Sequence, residues 1–308
     1  MIYTCTLNPS LDYYMDFDKF ESGKLNRSVS EHYEAGGKGI NVSIVLNNLR
    51  IPSRALGFVG GFTRDFFMQH LQRYTYIEPN FTYIKDHTRI NVKAFTNVET
   101  TLNARGPQVT EEEKRSMLRR VEKLNSYDIL VLSGSCPDNC FDMAEKMMEY
   151  CYENEVKIVL DTKPSTMLAF LKYKPLLVKP NLDELEEMFN GTIFTEQDIV
   201  RDAKKLVEMG AENCIVSLGG DGAILVNSTG AYKSNVVPGE VKNTIGAGDS
   251  VVAGFLMNYL RSQDLLQIFQ YASACGSATA LSHNLATREE VEAIVDQIVV
   301  TKIEEENE

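Results

Sequence analysis

Several hallmarks of other protein classes are missing from this sequence of 308 residues. The six cysteines form no CxxC pair and the four histidines are isolated, so we expect no zinc site and no metal site built from histidine. The cysteines are expected to be free thiols in a reducing compartment. The sequence also lacks the GxxxxGKS or GxxxxGKT pattern of P-loop kinases and the GxGxxG pattern of Rossmann dehydrogenases, which argues against both classes.

Basic residues and long apolar runs are scarce as well. The 31 Lys and Arg residues face 43 Asp and Glu residues, which gives a formal net charge of −12. We therefore expect no nucleic-acid partner and no adsorption to membranes, although a few converging basic side chains can still bind an anionic metabolite. No apolar run approaches the ~18 residues of a membrane span, and we expect no signal peptide, so the sequence predicts a cytoplasmic protein.

Strands alternate with helices over most of the chain. This order predicts an α/β fold with a mostly parallel sheet and crossover helices. The short β segments of the N-terminal third, including the segment at 81–84, do not fit the alternation, and we expect them to form a small separate sheet from two stretches, about 10–35 and 85–104. A last helix is predicted at 288–299, and the acidic tail at 304–308 is expected to fray.

The strongest candidate for chemistry is Gly246-Ala247-Gly248-Asp249, which opens an apolar helix. Small residues leave the first backbone N–H groups of the helix open, and these donors favour an anion such as a phosphoryl group in transfer. Asp249 lies in the first turn, where an ionised carboxylate could accept a proton from a substrate hydroxyl. The stretch alone also suits a glycine-rich loop with an ordinary helix cap, so both interpretations stay open.

A second glycine-rich segment follows a predicted strand and begins at Ser217. Its residues Gly219, Gly220, Asp221 and Gly222 would let the backbone approach a nucleotide closely. The same Gly-Gly-Asp-Gly sequence is also ordinary hairpin material, and the segment alone does not decide between the two.

Asn181 and Glu184 follow another buried strand, beginning just after Lys179. Because they are three residues apart, they share one face of a helix, and their oxygens could hold hydrated Mg²⁺ through water. The alternative is an ordinary helix start with acidic residues in its first turn.

The N-terminal region offers side chains suited to a sugar and to an anion. Asp12 follows an Asn-Pro turn, and the glycine run at 36–39 precedes Asn41, a combination that suits bidentate binding of sugar hydroxyls. Lys38 adds positive charge for a phosphate, and Arg89 on the small sheet could add a bidentate phosphate contact. Taken singly, a surface Lys or Arg is usually only solvated.

Together these segments resemble the ribokinase-like (PfkB) carbohydrate kinases over nearly the whole chain. The motifs, in order, are NPSLD at 8–12, GGKGIN at 36–41, KPNLDE at 179–184, SLGGDG at 217–222 and GAGD at 246–249. Lys38 and the TRINVK sequence at 88–93 make the chain most similar to the phosphosugar branch, which includes 1-phosphofructokinase and tagatose-6-phosphate kinase.

The resemblance implies a fold and an assembly. It implies one kinase domain over residues 1–308, with three α/β/α layers around a mostly parallel sheet. The small sheet would be a lid over the sugar, and two lids would pair in a homodimer.

The resemblance also implies site residues, with ATP and Mg²⁺ as cofactors. Asp249 would be the general base, and Gly246, Ala247 and Gly248 the anion hole. The substrate would contact Asp12, Gly37, Lys38, Asn41, Arg89 and Ser135, with Arg27 reaching from a partner subunit. The nucleotide would contact Lys179, Asn181, Ser217, Gly219, Gly220, Asp221, Gly222 and Gly248, and Asn181 and Glu184 would organise Mg²⁺.

The reaction implied is transfer of a phosphoryl group from ATP to fructose 1-phosphate, giving ADP and fructose 1,6-bisphosphate. Tagatose 6-phosphate and fructose 6-phosphate remain alternative acceptors, because each carries a phosphate at one end and a hydroxyl at the other. A sugar-phosphate or nucleotide sensor without turnover is an alternative of a different class. A kinase of unphosphorylated sugars or nucleosides is disfavoured by Lys38 and Arg89 together.

Overall fold

The computed structural model describes residues 1–96 and 98–304. Its strands are β1 (Ile2–Thr6), β2 (Ser10–Asp16), β3 (Ser30–Gly36), β4 (Ser53–Gly60), β5 (Ile77–Pro79), β6 (Thr82–Ile84), β7 (Arg89–Phe95), β8 (Glu99–Leu102), β9 (Ile129–Gly134), β10 (Lys157–Thr162), β11 (Leu177–Val178), β12 (Asn213–Ser217), β13 (Ala223–Asn227), β14 (Gly230–Ser234) and β15 (Val300–Ile303). Its α-helices are α1 (Lys38–Asn48), α2 (Thr63–Leu71), α3 (Glu111–Val121), α4 (Phe141–Glu153), α5 (Pro164–Phe170), α6 (Leu182–Phe189), α7 (Glu196–Glu208), α8 (Ala247–Tyr259), α9 (Leu265–Leu281) and α10 (Arg288–Glu292). Short 3₁₀ helices span Leu171–Tyr173, Gly219–Asp221 and Val295–Gln297.

Eleven of the strands described form one large sheet, in the order β15-β14-β13-β12-β11-β10-β9-β1-β4-β5, with β6 also paired to β4. The pairs from β12 to β5 are parallel, and β13, β14 and β15 are antiparallel. The parallel strands β1 and β9 are buried along almost their whole length because helices cover both of their faces. The prediction of a mostly parallel sheet is confirmed.

Helices cover the large sheet on both sides. Apolar residues of α3 to α7, such as Met117, Met147 and Leu206, pack on one face of the sheet. Residues of α1, α8, α9 and α10, such as Leu46 and Phe255, pack on the other face. The result is the three-layer α/β/α arrangement expected. Within residues 1–96 and 98–304, no helix has the length and apolar character needed to cross a membrane.

The small sheet has the strand order β3-β2-β7-β8 and is built from the two expected stretches. Strand β2 pairs antiparallel with β3 and parallel with β7, while β7 and β8 form an antiparallel pair. Alternate residues of these strands therefore face one side of the sheet, which lines a cleft against the large sheet.

Two local expectations were wrong. Strand β6 belongs to the large sheet, because Thr82 and Ile84 are buried beside β4 while Tyr83 between them is exposed. The last helix ends at Glu292, and β15 follows at Val300–Ile303, paired with β14. The β-branched residues near position 300 favour a strand at this sheet edge. The tail at 304–308 was expected to fray, and its residues 305–308 lie outside the described part of the chain.

Candidate active site

A cleft of about 1340 Å³ lies between the inner face of the small sheet and the carboxyl ends of β1, β9, β10, β11 and β12. This is the edge where ligands bind in open parallel sheets. Of the residues singled out from the sequence, the cleft is lined by Asp12, Gly37, Lys38, Asn41, Arg89, Ser135, Lys179, Asn181, Ser217, Gly246, Gly248 and Asp249. The structure thus brings most of the predicted site together.

Asp249 is buried in the first turn of α8. Gly246, which precedes the helix, has φ 79°, and a Cβ there would lie 2.5 Å from Leu285 Cδ2. Only glycine suits this position, because the backbone is left-handed and the space is occupied. Asn41 Nδ2 donates a hydrogen bond of 2.7 Å to Asp249 Oδ2 and fixes the carboxylate from α1.

The electrostatic setting of Asp249 favours proton uptake. Burial raises its pKa, and the negative charge of Asp161 raises it further. The hydrogen bond from Asn41 and the charges of Lys38 and Lys179 oppose these effects, and the resulting pKa is about 7. A carboxylate with a pKa near neutrality is suited to accept and release a proton at physiological pH.

The start of α8 lies beside a buried lysine. A Cβ on Gly248 would be 3.1 Å from Lys179 Nζ, so the helix terminus and the ammonium group are neighbours. Both favour an anion, the helix through its first N–H groups and the lysine through its charge. The arrangement can stabilise negative charge next to Asp249.

Asp161 is a site residue that the sequence motifs did not reveal. It is fully buried at the end of β10, where its Oδ1 lies 2.7 Å from Lys38 Nζ and 3.6 Å from Lys179 Nζ. Burial alone would raise its pKa, but the two lysines outweigh burial and lower it. The one available signal was its position, an acidic residue that ends a buried strand at the carboxyl edge.

Lys38 lies in the large-sheet half of the cleft. Its Nζ contacts Asp161 and lies 3.5 Å from Glu184 Oε1. Burial lowers its pKa, but the charges of Asp161 and Glu184 more than compensate and raise it. The lysine is therefore firmly charged, and its two ion-pair partners lie on β10 and at the start of α6.

Asp12 is buried on the inner face of the small sheet. Its Oδ1 accepts hydrogen bonds from Ser10 Oγ at 2.6 Å and Asn91 Nδ2 at 3.0 Å. A Cβ on Gly36 would lie 2.4 Å from Asp12 Oδ2, so the absent side chain of Gly36 makes room for the carboxylate. Asp12 is thus held in one orientation, with neighbours that the sequence patterns had not assigned to it.

Arg89 is half-buried at the start of β7. Its Nη1 donates a hydrogen bond of 3.0 Å to the carbonyl oxygen of Ala104, and its Nε is buried without a partner among the residues described. Burial lowers its pKa and the nearby Asp12 partly opposes this. A guanidinium group in this setting retains donors for an anion. Ser135 lies across the cleft, where it accepts a hydrogen bond of 3.2 Å from Asn8 Nδ2.

Asn181 and Glu184 form a capping box at the start of α6. Asn181 Oδ1 accepts from the Glu184 N–H at 2.7 Å, and Glu184 Oε2 accepts from the Asn181 N–H at 2.9 Å. These two hydrogen bonds are those of an ordinary helix start, the alternative that the sequence left open for Asn181 and Glu184. Glu184 Oε1 is not used by the cap and reaches toward Lys38. Ser217, at the end of β12, forms a bridge pair with Asn181 and lines the cleft.

Of the second glycine-rich segment only Ser217 lines the cleft, and residues 219–222 lie outside the lining. Gly219, Gly220 and Asp221 form a 3₁₀ turn after β12, and no atom lies within 4 Å of a Cβ placed on Gly219 or Gly220. Gly222 has φ 91°, and a Cβ there would lie 2.0 Å from the carbonyl oxygen of Ser234. Hairpin packing alone thus requires this last glycine. Arg27 is exposed and also lies outside the lining of the cleft.

Comparison with known proteins shows which family the chain resembles. Residues 6–291 match the model of the pfkB family carbohydrate kinases. The chain is 43% identical over 304 residues to a 1-phosphofructokinase of Bacillus subtilis, covering 98% of this chain and 100% of that protein. It is 32% identical over 305 residues to a D-tagatose-1-phosphate kinase of Bacillus licheniformis, with 98% and 100% covered.

A solved structure of a phosphofructokinase has a similar fold. The structure of Escherichia coli phosphofructokinase-2 in complex with substrates and products superposes with a TM-score of 0.91 at 27% identity, covering 96% of this chain and 98% of that one. The chain belongs to the pfkB family of carbohydrate kinases, and family membership makes it a kinase that takes ATP as its co-substrate.

Proposed function

We propose that the chain transfers the γ-phosphoryl group of ATP to fructose 1-phosphate, with Asp249 as the general base. The observation that carries the proposal is the carboxylate of Asp249, buried at the start of α8 with a pKa of about 7 and beside Lys179. The identity of the acceptor rests on the similarity to a 1-phosphofructokinase over nearly the whole chain.

The chemistry follows from the positions of the charged groups. Asp249 takes the proton of the acceptor hydroxyl as the new O–P bond forms and the bond to the leaving phosphate oxygen breaks. Negative charge on the transferring group lies at the backbone of Gly246, Ala247 and Gly248. Lys179 supplies positive charge beside this helix start, and Lys38 can add its charge from the other side of Asp161.

We assign Mg²⁺ to Glu184 and Asn181 through water. The donors fit in part, because the capping box occupies Asn181 Oδ1 and Glu184 Oε2, while Glu184 Oε1 lies 3.5 Å from Lys38 Nζ. A carboxylate oxygen outside the cap suits Mg²⁺, which keeps several waters and completes its shell with phosphate oxygens. Asn181 would act by holding Glu184. When bound, the ion would neutralise charge on the nucleotide phosphates.

The ATP and sugar contacts are assigned to opposite sides of the cleft. The nucleotide would extend from Lys179 and Gly248 past Ser217 toward the open backbone of Gly219 and Gly220, with Asp221 and Gly222 completing the turn. The sugar would lie between Asp249 and the small sheet. Its hydroxyls would contact Asp12, Asn41 and the backbone at Gly37, and its phosphate would contact Arg89, with Ser135 nearby.

A second acceptor is favoured by a particular comparison. The relative from Bacillus licheniformis is a D-tagatose-1-phosphate kinase, and tagatose 1-phosphate carries its phosphate on the same carbon as fructose 1-phosphate. This makes tagatose 1-phosphate a stronger alternative than tagatose 6-phosphate or fructose 6-phosphate, which both remain in the test below.

The small sheet is proposed to be a lid and a dimer contact within one kinase domain. Its outer face exposes Tyr33 and Leu102, and the loop between β2 and β3 exposes Leu25 and Val29. Pairing two such faces would bury these apolar side chains and bring Arg27 toward the partner's cleft. The free cysteines fit a reducing compartment such as the cytoplasm. Light scattering across a dilution series would test the dimer, and a monomer at micromolar concentration would contradict it.

The function is tested by ADP release with fructose 1-phosphate, tagatose 1-phosphate, fructose 6-phosphate, tagatose 6-phosphate and fructose. We expect Mg-ATP-dependent turnover, with the highest kcat/KM for fructose 1-phosphate. Preference for unphosphorylated fructose would contradict the phosphosugar assignment. Binding of a sugar phosphate without any ADP release would instead favour a sensor.

A further inference from the structure

The inner face of the small sheet presents its side chains in rows across β3, β2 and β7. One row contains Glu34, Asp12 and Asn91, which are paired in register. The next row outward contains His32, Tyr14 and Lys93. All six residues line the cleft, so Lys93 faces the same space as Asp12 although no motif assigned it a role.

Lys93 is held firmly in its row. Its side chain is only 13% exposed, and its Nζ lies 4.9 Å from the centre of the Tyr14 ring and 3.2 Å from the Tyr14 hydroxyl. The ring is itself stacked between His32, at 4.6 Å, and Phe95, at 6.0 Å. The ammonium group is therefore fixed before any ligand binds, which lowers the entropy cost of binding.

Lys93 is charged but only loosely paired. Burial lowers its pKa, and the neighbouring Tyr14 and Asp12 outweigh burial and raise it. Its contact with Asp12 Oδ2 is 3.5 Å long, while the other oxygen of that carboxylate accepts hydrogen bonds from Ser10 and Asn91. A largely buried ammonium group with such a long ion pair retains donors for a second anion.

The positions of the other charges define where that anion would lie. Arg89, Asn91 and Lys93 alternate on one face of β7, so the two cations flank Asp12 at roughly 7 Å along the strand on each side. The row beyond Lys93 carries Asp16 and Glu99. Their carboxylates would repel a phosphate placed further out. The favourable space for an anion is therefore next to the Lys93 ammonium group, on the cleft side.

We propose that Lys93 is a specificity-determining residue that binds the phosphate of the acceptor sugar, sharing it with Arg89 while Asp12 binds sugar hydroxyls. This inference rests on the proposed function, because it takes the acceptor to be a phosphosugar. The competing explanation is structural: Lys93 could act only by neutralising and orienting Asp12. The two explanations predict different responses to substrate and to removal of Asp12.

The test compares Lys93→Met, Lys93→Arg and a control, Lys123→Met, whose side chain is exposed beyond the end of α3 and away from the cleft. Methionine keeps an unbranched apolar side chain next to Tyr14 and removes the positive charge of the ammonium group. We expect Lys93→Met to lower kcat/KM for fructose 1-phosphate by about 10- to 100-fold and for fructose by less than threefold. Lys93→Arg should retain most activity, and Lys123→Met should match the native protein.

A binding cycle separates the two explanations without relying on turnover of fructose. Titration calorimetry measures the Kd of fructose 1-phosphate for the native protein, Lys93→Met, Asp12→Asn and the double variant. We expect Lys93→Met to weaken binding by a similar factor in both backgrounds. Loss of its effect in the Asp12→Asn background, or an equal loss for fructose and fructose 1-phosphate, would overturn the proposal.

The outcomes for this inference and for the proposed function are distinguishable. If the native protein turns over no phosphosugar of the panel, the proposed function fails. If it turns over fructose 1-phosphate and Lys93→Met does so with unchanged kcat/KM, only the role of Lys93 fails. Unfolding midpoints of all variants, measured in parallel, separate a lost contact from a lost fold.

Discussion

The two halves of the cleft hold their charges in different ways. In the half formed by the large sheet, Asp161 lies between Lys38 and Lys179, and Asp249 is held by Asn41. These groups are on strand ends and helix starts fixed by the main core. In the half formed by the small sheet, the charged groups lie on a four-stranded sheet, with Arg89 and Lys93 on either side of Asp12.

The two halves of the cleft therefore differ in the function that we propose for them. The large-sheet half contains the proposed base, Asp249, and the charges that we assign to phosphoryl transfer for any acceptor. The small-sheet half contains cations that are only loosely paired and suit an anionic acceptor. Changes in the first half should lower kcat for every acceptor, while changes in the second should raise KM or alter the choice of acceptor.

The largest effect is expected from Asp249→Asn. Removing the base should lower kcat by about 10² to 10⁴-fold for each acceptor, while the KM for ATP changes little. Steady-state ADP release measures this loss. Burial raises the pKa of Asp249 to about 7. Ionisation of this side chain therefore lowers the free energy of unfolding as the pH rises from the ordinary pKa of an aspartate to about 7.

The control for Asp249→Asn is its thermal stability. The neutral amide removes the cost of a buried charge, so Asp249→Asn should unfold at a temperature no lower than the native protein at pH 8. Native turnover in a folded variant would show that Asp249 is not the base.

A smaller effect is expected from Asp161→Asn. The buried carboxylate pairs two lysines. In the variant Lys179 loses its ion pair with Asp161, and Lys38 keeps only its 3.5 Å contact with Glu184. We expect kcat/KM for ATP to fall by about 10- to 100-fold and the unfolding midpoint to decrease, because an unpaired buried charge is costly. If the variant instead raised only the KM for the sugar by the same factor, the assignment of Asp161 to phosphoryl transfer in the large-sheet half would be contradicted.

The smallest effect is expected from Gly36→Ala. Its added methyl group would collide with the Asp12 carboxylate, which Ser10 and Asn91 hold in place. The KM for fructose 1-phosphate should rise by about tenfold with kcat and the KM for ATP nearly unchanged. Gly191→Ala is the matched control, because a Cβ there meets only the Phe189 carbonyl oxygen at 3.9 Å. Equal KM values for the two variants would contradict a fixed Asp12.

The sequence predicted the parts of the fold that depend on local pattern. Alternating strands and helices predicted the large sheet and its helix layers, and local patterns such as the capping box of Thr110 and Glu113 at the start of α3 fix where the helices begin. The strand at Val300–Ile303 was missed, because a four-residue strand at a sheet edge depends on its partner β14 more than on its own pattern. Strand β6 was misplaced for the same reason.

The motifs predicted much of the lining of the cleft, but they did not contain Asp161 and did not reveal the contacts of Gly36 and Lys93. The roles of these three residues depend on neighbours at least 18 residues away in the chain. Asp161 needs Lys38 and Lys179, and the space at Gly36 is defined by Asp12. Such roles follow from tertiary contacts, which spacing along one sequence does not encode.

The central claim, that Asp249 is the base and that Asp161 raises its pKa, is tested most directly by the pH dependence of kcat/KM for fructose 1-phosphate. Activity needs the ionised base, so it should decrease as the pH falls through about 7. In Asp161→Asn, a negative charge that raises the pKa of Asp249 is gone, so the midpoint of this decrease should move to lower pH. Titration of the substrate phosphate is the same in both proteins and cancels from the difference. Identical midpoints in the two proteins, or a rate that does not change down to pH 5, would contradict the account.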